Sequence, residues 1–250
     1  MSRRFLDEAV SELETLKKEV SSTCHISTVE GDLGTEAGLK SAIASVRAIH
    51  PKTLDTLVCA AGIRRMPAVE YQAGDPLSKL AESMQSMAYA DMEVSFRVNV
   101  MGPYYVTAGL IDLLGEAAKA GEGRGSVILY SSAAAQHHGQ FGPAYQTSKA
   151  AIDHMVRIMA AQFADVYVRV NAIAPGLFPS RMNPADPTDP EYNNMRYEKD
   201  MPARRAGTEQ EMVSTALYLA SSAGAYMTGD ILRIDGGRLL VVGAKITPVE

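Results

Sequence analysis

Basic charge is scarce in this chain of 250 residues. Aspartate and glutamate outnumber lysine and arginine by 29 to 24, which gives a formal net charge of −5. A protein that binds a nucleic-acid backbone carries a basic stripe, so this balance argues against nucleic acid as a partner. The sequence also has no internal repeat and no low-complexity tract. We therefore expect an ordinary globular protein.

Cysteines and long apolar runs are equally scarce. Cys24 and Cys59 are the only cysteines, and they provide neither a disulfide framework nor the spacing of a metal site. No apolar run approaches the roughly 20 residues that cross a bilayer. The opening MSRRFLDEAV lacks the apolar core of a signal peptide. These features predict a cytoplasmic protein with no metal site and no membrane partner.

The order of apolar patterns indicates the fold class. A hydrophobic fraction of 46% and a length of 250 residues predict a single domain over residues 1–250. Helical periodicity predicts helices at 4–20, 35–50 with Thr35 as N-cap, 89–119, 144–163 and 208–221. Compact apolar runs predict strands at 25–33, 54–63, 125–132, 166–175 and 230–237. This alternation predicts an α/β fold, a Rossmann-like, doubly wound parallel sheet with ligands at the carboxyl ends of its strands.

The chemically informative stretch is SSAAAQHHGQFGPAYQTSKA. Tyr145 and Lys149 stand one turn apart on a predicted helix, so their side chains share a face. Tyrosine ordinarily titrates near pH 10, and a nearby cation that lowered its pKa to about 7 would prepare the phenol for proton transfer. Ser132 ends the preceding strand, where its hydroxyl is placed to bond the carbonyl oxygen that Tyr145 protonates. Such a Tyr–Lys pair alone is more often plain helix surface, so the surrounding sequence decides whether it is a catalytic pair.

In that context Tyr145 follows Ser132 by thirteen positions, and VRVNAIAPG follows the helix. In this order the sequence resembles the classical short-chain dehydrogenase/reductase family, in its 3-oxoacyl-[acyl carrier protein] reductase-like branch, from about Arg3 to Gly237. The resemblance implies an NAD(P)-dependent enzyme that interconverts a ketone and a secondary alcohol. Its catalytic positions fall on Asn99, Ser132, Tyr145 and Lys149.

The resemblance gives each catalytic position a role. In the family the tyrosine donates the proton, and the serine orients the substrate. The lysine lowers the tyrosine pKa and bonds the nicotinamide ribose, while the asparagine holds a water in a proton relay. These roles are expectations for Tyr145, Ser132, Lys149 and Asn99.

The resemblance also implies a cofactor site. The implied contacts are Arg3, Asp32, Leu33, Ala60, Ala61, Gly62, Tyr145, Lys149, Pro175, Gly176, Phe178 and Ser180. Arg3 and Arg4 align with basic residues that often hold the 2′-phosphate of NADP(H), so NADP(H) is expected rather than NAD(H). The same arginines are equally explained as solvated residues at a helix start, and Asp32 as a turn residue.

Two departures from the family bear on activity. CAAG at Cys59–Gly62 replaces Asn-Asn-Ala-Gly, so Cys and Ala fill the space without the amide hydrogen bonds. The glycine-rich turn of the TGxxxGIG kind does not occur in the sequence, and GEGRG at 121–125 opens no helix. The resemblance therefore implies an incomplete, N-terminally truncated sheet without the first two strands and the helix between them.

Two functional hypotheses remain open at this stage. The first is an NADP(H)-dependent reductase of a biosynthetic carbonyl: a 3-oxoacyl, polyketide or other secondary-metabolite ketone, in a homodimer or homotetramer. The second is a catalytically impaired remnant that acts as a non-enzymatic binding or oligomerisation partner. The intact Ser, Tyr and Lys favour the first hypothesis, and CAAG with the absent turn favours the second.

The loops near the catalytic positions allow two further predictions. Residues 176–206 are predicted to be a substrate lid, in which Met182, Met195 and Met201 line an apolar surface or merely fill gaps. His137 and His138 lie between Ser132 and Tyr145, where exposed loop histidines are expected more often than substrate contacts.

Overall fold

A parallel sheet forms the centre of the computed structural model, which describes residues 3–139, 142–184 and 199–242, with side chains from residue 6 onward. The sheet order is β1-β2-β3-β4. The strands are β1 (Thr56–Cys59), β2 (Ser126–Tyr130), β3 (Arg169–Pro175) and β4 (Ile231–Ile234). Val127 pairs in parallel with Leu57 on one side and with Val170 on the other. Since parallel neighbours need crossovers, helices connect successive strands.

The helices of the described residues agree in large part with the apolar periodicity. They are α1 (Arg3–Glu19), α2 (Glu36–Ile49), α3 (Leu77–Gln85), α4 (Tyr89–Phe96), α5 (Gly102–Ala118), α6 (Pro143–Gln162), α7 (Glu209–Ala220) and α8 (Arg238–Val241). The predicted helix at 89–119 is α4 and α5 joined by a π-helical segment at Arg97–Met101. The short helices α3 and α8 were not predicted.

Helices cover both faces of β2 and β3. Val127 and Leu129 face a cluster that contains Leu114 of α5 and Ile152 of α6. On the other face Ile128 packs with Ile173 of β3 and with Leu219 of α7. Successive strand residues point to opposite faces, so a continuous apolar run is what a strand buried on both sides requires. The predicted α/β, Rossmann-like parallel sheet is confirmed.

The predicted strand at 25–33 is wrong. These residues form an extended connection between α1 and α2 without strand pairing. A strand needs a neighbour to accept its backbone hydrogen bonds, and β1 is the outermost strand of the described sheet. The N-cap prediction is confirmed, because the Thr35 hydroxyl accepts a hydrogen bond from Gly38 N at 3.1 Å.

A buried arginine holds the connection after α7 in place. Arg169 of β3 is 1% exposed, and its guanidinium donates to the carbonyl oxygens of Leu219 at 2.9 Å and Gly224 at 2.8 Å. Charged donors form strong hydrogen bonds with backbone acceptors in a low dielectric. The position of β4 relative to β3 therefore depends on this side chain as well as on the backbone pairs.

Candidate active site

The carboxyl ends of β1, β2 and β3 open into one cavity of about 980 Å³. Nine of the predicted site residues line it: Ala60, Gly62, Ser132, Tyr145, Lys149, Pro175, Gly176, Phe178 and Ser180. Parallel strands place their carboxyl ends at the same sheet edge, which explains why positions more than a hundred residues apart meet here.

Tyr145 lies in the first turn of α6, which begins at Pro143. Proline suits the first helical position because no intrahelical partner exists there for an N–H. The Tyr145 phenol lies near the Ser132 side chain, close enough for that hydroxyl to affect its pKa. Burial raises the pKa of Tyr145 above its ordinary value, while the Ser132 hydroxyl and the positive charge of Arg64 oppose that rise. The phenol is thus held in its protonated form at neutral pH.

Lys149 is not among the groups that lower the Tyr145 pKa in this structure, so its expected effect on that pKa stays a prediction. Lys149 Nζ lies 5.8 Å from the centre of the Tyr145 ring and donates instead to Tyr130 O at 2.6 Å. Lys149 is 4% exposed, and burial lowers its pKa to about 8, against an opposing effect of the Asp153 carboxylate. Desolvation disfavours the charged form of each group, so it moves the tyrosine pKa up and the lysine pKa down.

Asp153 is a residue of the site that sequence reasoning missed. It stands one turn beyond Lys149 on α6, and its carboxylate accepts a hydrogen bond from Ser131 Oγ. Burial raises the pKa of Asp153, while Ser131, Arg157 and Lys149 oppose the rise. The repeat of polar residues at four-residue spacing from Tyr145 was visible in the sequence and predicts this shared face.

Asn99 supports the cavity from behind rather than lining it. It is 1% exposed within the π-helical segment, a local geometry that is frequent at functional sites. Its Nδ2 donates to Ile63 O and to Ser148 Oγ, both at 2.9 Å, and its Oδ1 accepts from Ile63 N at 2.8 Å. Ser148 Oγ in turn donates to Tyr145 O at 2.8 Å. The amide therefore connects the chain after β1 with the first turn of α6.

The thiol in CAAG lies beside Thr107 of α5. Burial raises the pKa of the Cys59 thiol to about 12, and Thr107 opposes that rise. Thr107 Oγ1 donates to Pro103 O at 2.7 Å. A thiol with this pKa is not a nucleophile at neutral pH, so Cys59 connects β1 with α5 and has no reactive role.

The two loop histidines differ in exposure. His138 is exposed, as expected, whereas His137 is buried and lines the cavity. The chain turns inward because residues Ala133–Ala135 form a 3₁₀ turn, and His137 N donates to Ala133 O at 3.1 Å. Ser132 caps the same turn, since its hydroxyl accepts from Ala134 N at 3.1 Å.

The predicted lid is described in part. Met182 lines the cavity, whereas Met201 is 2% exposed and packs with Leu177, so it fills the core. Met195 lies outside the described residues. Arg64, which sequence reasoning missed, lines the cavity and donates to Met182 O at 2.9 Å and Asn183 Oδ1 at 3.1 Å.

Other predicted cofactor contacts lie away from the cavity. Ala61, Asp32 and Leu33 do not line it, and the Asp32 carboxylate accepts a hydrogen bond from Gly34 N at 2.9 Å. That geometry fits the turn interpretation of Asp32. Arg3 lies in the first turn of α1, with its side chain outside the described part of the chain. The structure thus brings together the residues expected to contact the nicotinamide end of the cofactor. It does not bring together those expected to contact the adenosine end.

Positive charge predominates along the cavity. Its described lining contains Arg64, Lys149, Arg181 and Arg238 but a single carboxylate, that of Glu209. A cleft with low-dielectric walls focuses such a field, which favours anionic ligands. In the described ranges we find no group of three or more His, Cys, Asp or Glu that is placed to hold a metal, and no helix with the length and apolarity of a membrane span.

Comparison with known proteins agrees with this geometry. Residues 4–238 match the family model described as "Enoyl-(Acyl carrier protein) reductase". The chain is 30% identical over 241 residues to the short-chain dehydrogenase/reductase PhomF of Diaporthe leptostromiformis, across 92% of this chain and 80% of that one. This chain belongs to the short-chain dehydrogenase/reductase family. Family membership makes it an oxidoreductase of alcohols and ketones, in a fold that binds nicotinamide cofactors.

Two further matches within the short-chain dehydrogenase/reductase family, one a curated sequence and one a solved structure, come from Pseudomonas aeruginosa. The rhamnolipids biosynthesis 3-oxoacyl-[acyl-carrier-protein] reductase is 31% identical over 209 residues, which cover 84% of this chain and 75% of that one. The solved structure of an RhlG/NADP active-site complex superimposes with a TM-score of 0.68 at 32% identity, over 84% of this chain and 75% of that one. The predicted family and its reductase-like branch are confirmed.

The site fits the nicotinamide end of the family's cofactor. A Cβ at Gly62 would stand 3.4 Å from both Lys149 Nζ and Asn99 Oδ1, so glycine keeps the cavity wall clear beside the lysine. Lys149, Tyr145 and Ser132 are hydrogen-bonding groups that suit ribose hydroxyls and a carbonyl oxygen. The sequence offers no glycine-rich turn for the pyrophosphate, so that part of the fit rests on the cationic lining.

Proposed function

We propose that this chain is an NADP(H)-dependent reductase that interconverts a ketone and a secondary alcohol, with Tyr145 as proton donor. One observation carries the proposal: the Tyr145 phenol lies near the Ser132 hydroxyl, in a cavity that Tyr145, Ser132 and Lys149 line together. The Ser132 and Tyr145 hydroxyls can both donate a hydrogen bond to one carbonyl oxygen of a substrate in the cavity.

The residues of this chain supply the proton and the orientation. When bound, the nicotinamide supplies the hydride for reduction. Ser132 holds the carbonyl oxygen, and Tyr145 transfers its phenolic proton to that oxygen as the O–H bond of the tyrosine breaks. The phenol is protonated at neutral pH, as a proton donor must be, and a cation beside it during the reaction makes that proton easier to transfer. Protonated Lys149 stabilises the phenolate that remains.

The structure limits how Asn99 contributes. Both of its amide hydrogens are donated to protein acceptors, so a relay water would be bonded to its Oδ1 or to a neighbouring carbonyl. We propose that Asn99 acts mainly as a positioning residue for the first turn of α6. Its link to Tyr145 runs through Ser148.

Several observations support NADP(H) as the cofactor. The relative whose solved structure holds NADP is 32% identical over most of this chain. The four cations of the cavity lining favour a ligand that carries phosphates. Arg3 is proposed as a contact of the 2′-phosphate, because it occupies the position where the family has a basic residue.

The proposed substrate is a biosynthetic carbonyl compound, such as a 3-oxoacyl, polyketide or other secondary-metabolite ketone. The similarity to a rhamnolipids biosynthesis 3-oxoacyl-[acyl-carrier-protein] reductase supports this class. Residues 176–206 are proposed as the lid over it, anchored by the Arg64 hydrogen bonds to Met182 and Asn183. The free thiols of Cys24 and Cys59 suit a reducing compartment such as the cytoplasm.

We also propose a homodimer or homotetramer. Helices α5 and α6 expose Tyr105 (49%) and Ile158 (44%), and Met101 beside α5 is 45% exposed. Apolar groups of this size are enriched where protein surfaces associate. Light scattering on the purified chain tests the proposal, and a monomeric mass at micromolar concentration would contradict it.

Turnover and cofactor binding test the proposed enzyme. A panel of 3-oxoacyl esters and simple ketones, mixed with the protein and NADPH or NADH, should show oxidation of the nucleotide at 340 nm. Calorimetry should show tighter binding of NADPH than of NADH. The competing hypothesis, a non-enzymatic remnant, is favoured by CAAG and by the absent glycine-rich turn. Absence of NADPH binding at millimolar concentration would support that hypothesis against ours.

A further inference from the structure

His137 is held in the cavity by the same turn that carries Ser132. The serine hydroxyl caps the 3₁₀ turn at Ala133–Ala135, and His137 N donates to the first carbonyl of that turn. From the other side, the Gln146 side chain donates to His137 O and accepts from Gly142 N at 3.0 Å. Since Gln146 follows Tyr145 on α6, the His137 backbone is fixed relative to both reacting hydroxyls.

Hydrogen bonding also fixes which ring nitrogen carries the proton. Gly139 N donates to His137 Nδ1 at 2.9 Å, so Nδ1 is the acceptor and a neutral ring has its hydrogen on Nε2. A Cβ at Gly139 would lie 3.2 Å from Cε1, which shows that this edge of the ring packs against the loop. His137 lines the cavity, and since Gly139 N occupies Nδ1, Nε2 is the ring nitrogen left for a ligand.

The surroundings keep the imidazole neutral. Burial lowers the pKa of His137, and the positive charges of Arg238 and His138 lower it further, against a backbone hydrogen bond that raises it. At neutral pH the ring is therefore a hydrogen-bond donor through Nε2 rather than a cation. A donor of this kind recognises a carbonyl oxygen and offers no full charge to a carboxylate.

We propose that His137 is a specificity-determining residue, whose Nε2–H donates to a second carbonyl oxygen of the substrate while Ser132 and Tyr145 hold the reacting one. The inference rests on the proposed function and deepens it. A 3-oxoacyl ester or thioester has its two carbonyl groups separated by one carbon, so both oxygens can be held by one rigid turn. Simple ketones lack the second acceptor, which leaves the buried donor unpaired and weakens their binding.

A pair of substrates tests the proposal. Ethyl 3-oxobutanoate and 4-ethoxybutan-2-one have the same chain and differ only in the second carbonyl group. With NADPH, H137F should lower kcat/KM for ethyl 3-oxobutanoate about tenfold, the value of one hydrogen bond, and change that for 4-ethoxybutan-2-one by less than about twofold. H137Q, which keeps a donor, should retain most of the activity. H138F alters the exposed neighbour and serves as the matched control.

Other outcomes decide against the proposal. An equal loss on both substrates would assign His137 a structural role, and unchanged activity on both would remove it from recognition. If the wild-type chain reduces neither compound, the proposed function fails, and NMR of the histidine rings then decides the inference. A shift of the His137 Nε2 resonance on addition of ethyl 3-oxobutanoate, absent in H137Q, supports the contact, and an unmoved resonance overturns it.

Discussion

The centre of the sheet and its β1 edge differ in how completely their residues are buried. At the β2–β3 centre, Val127 and Val170 are fully buried between helices. At the β1 end, Val58 is 47% exposed, although it pairs with buried Ile128 of β2. Apolar contact is the main source of stability, so we expect the β2–β3 centre to provide most of it.

The helices show the same contrast. On α6, Ile152, Val156 and Met159 are at most 1% exposed. On α1, Leu13 and Leu16 follow the same spacing but are 47% and 53% exposed. Apolar periodicity therefore predicted both helices, while only packing partners determine whether the apolar face is buried. The proposed catalytic residues of α6 lie on the well-packed side, which keeps their geometry fixed.

The largest effect on the rate of ketone reduction is expected from substitution of Tyr145, compared with substitution of an exposed tyrosine of the amino-terminal half. Y145F should lower ketone reduction about a thousandfold, because the phenolic proton is removed from the reaction. Y89F, at a side chain that is 85% exposed, should leave the rate unchanged. Steady-state kinetics with NADPH measures both, and circular dichroism checks the fold. Retained turnover in Y145F would show that another group donates the proton.

A second comparison sets buried Lys149 against exposed Lys40. The Lys149 pKa is lowered to about 8, so above that pH the folded chain has released a proton that the unfolded chain keeps up to about pH 10.5. Stability from this group therefore rises with pH across that window, by about 3 kcal/mol at 1.36 kcal/mol per pKa unit.

Urea unfolding between pH 7 and pH 10 measures this effect as a difference from K149M. The wild-type chain should gain stability relative to K149M as the pH rises. Relative to K40M, in which Glu36 loses its exposed lysine partner, the wild-type chain should show no such gain. Parallel pH curves for wild type and K149M would contradict the lowered pKa.

A third comparison uses the same substitution at the centre of the sheet and at its β1 edge. V127A removes two buried methyl groups at the centre and should cost about 2 kcal/mol of unfolding free energy. V58A acts on a half-exposed side chain of β1 and should cost well under about 1 kcal/mol. Urea melts of both variants test the contrast. Equal losses would mean that β1 is packed as tightly as the centre.

The smallest effect concerns the carboxylate beside the lysine. The Asp153 charge favours the protonated form of Lys149, so D153N should lower the Lys149 pKa below about 8. The alkaline limb of the kcat/KM profile should then move to lower pH by less than about one unit. D112N, which alters an exposed carboxylate paired with Arg47, is the control and should leave the profile in place.

The fold was predictable to the extent that its patterns are local. The strands at the centre and the long helices follow from runs and periods of apolar residues, and their ends differ from prediction by a few residues. The strand predicted at 25–33 failed because pairing depends on a neighbour distant in sequence. The helix at 77–85 has few apolar residues, so apolar periodicity did not predict it. In the structure its Leu77 is 79% exposed.

The candidate site was predictable through its spacing. Tyr145, Lys149 and Asp153 share a helix face because an α-helix brings every fourth residue to the same side. Arg64 had no such pattern, since its partners Met182 and Asn183 are more than a hundred residues away. The burial of His137 likewise depends on a turn whose 3₁₀ hydrogen bonds were not visible in the sequence.

By itself the sequence determined the family, the parallel α/β order and the residues that meet at the sheet edge, because each is encoded in local periods and spacings. Only the tertiary structure decided the protonation behaviour of those residues. Burial comes from every element packed around a group, so it raises the Tyr145 pKa and lowers the Lys149 pKa in ways that no spacing shows. The same long-range packing turns one histidine of an adjacent pair into the cavity and leaves the other exposed.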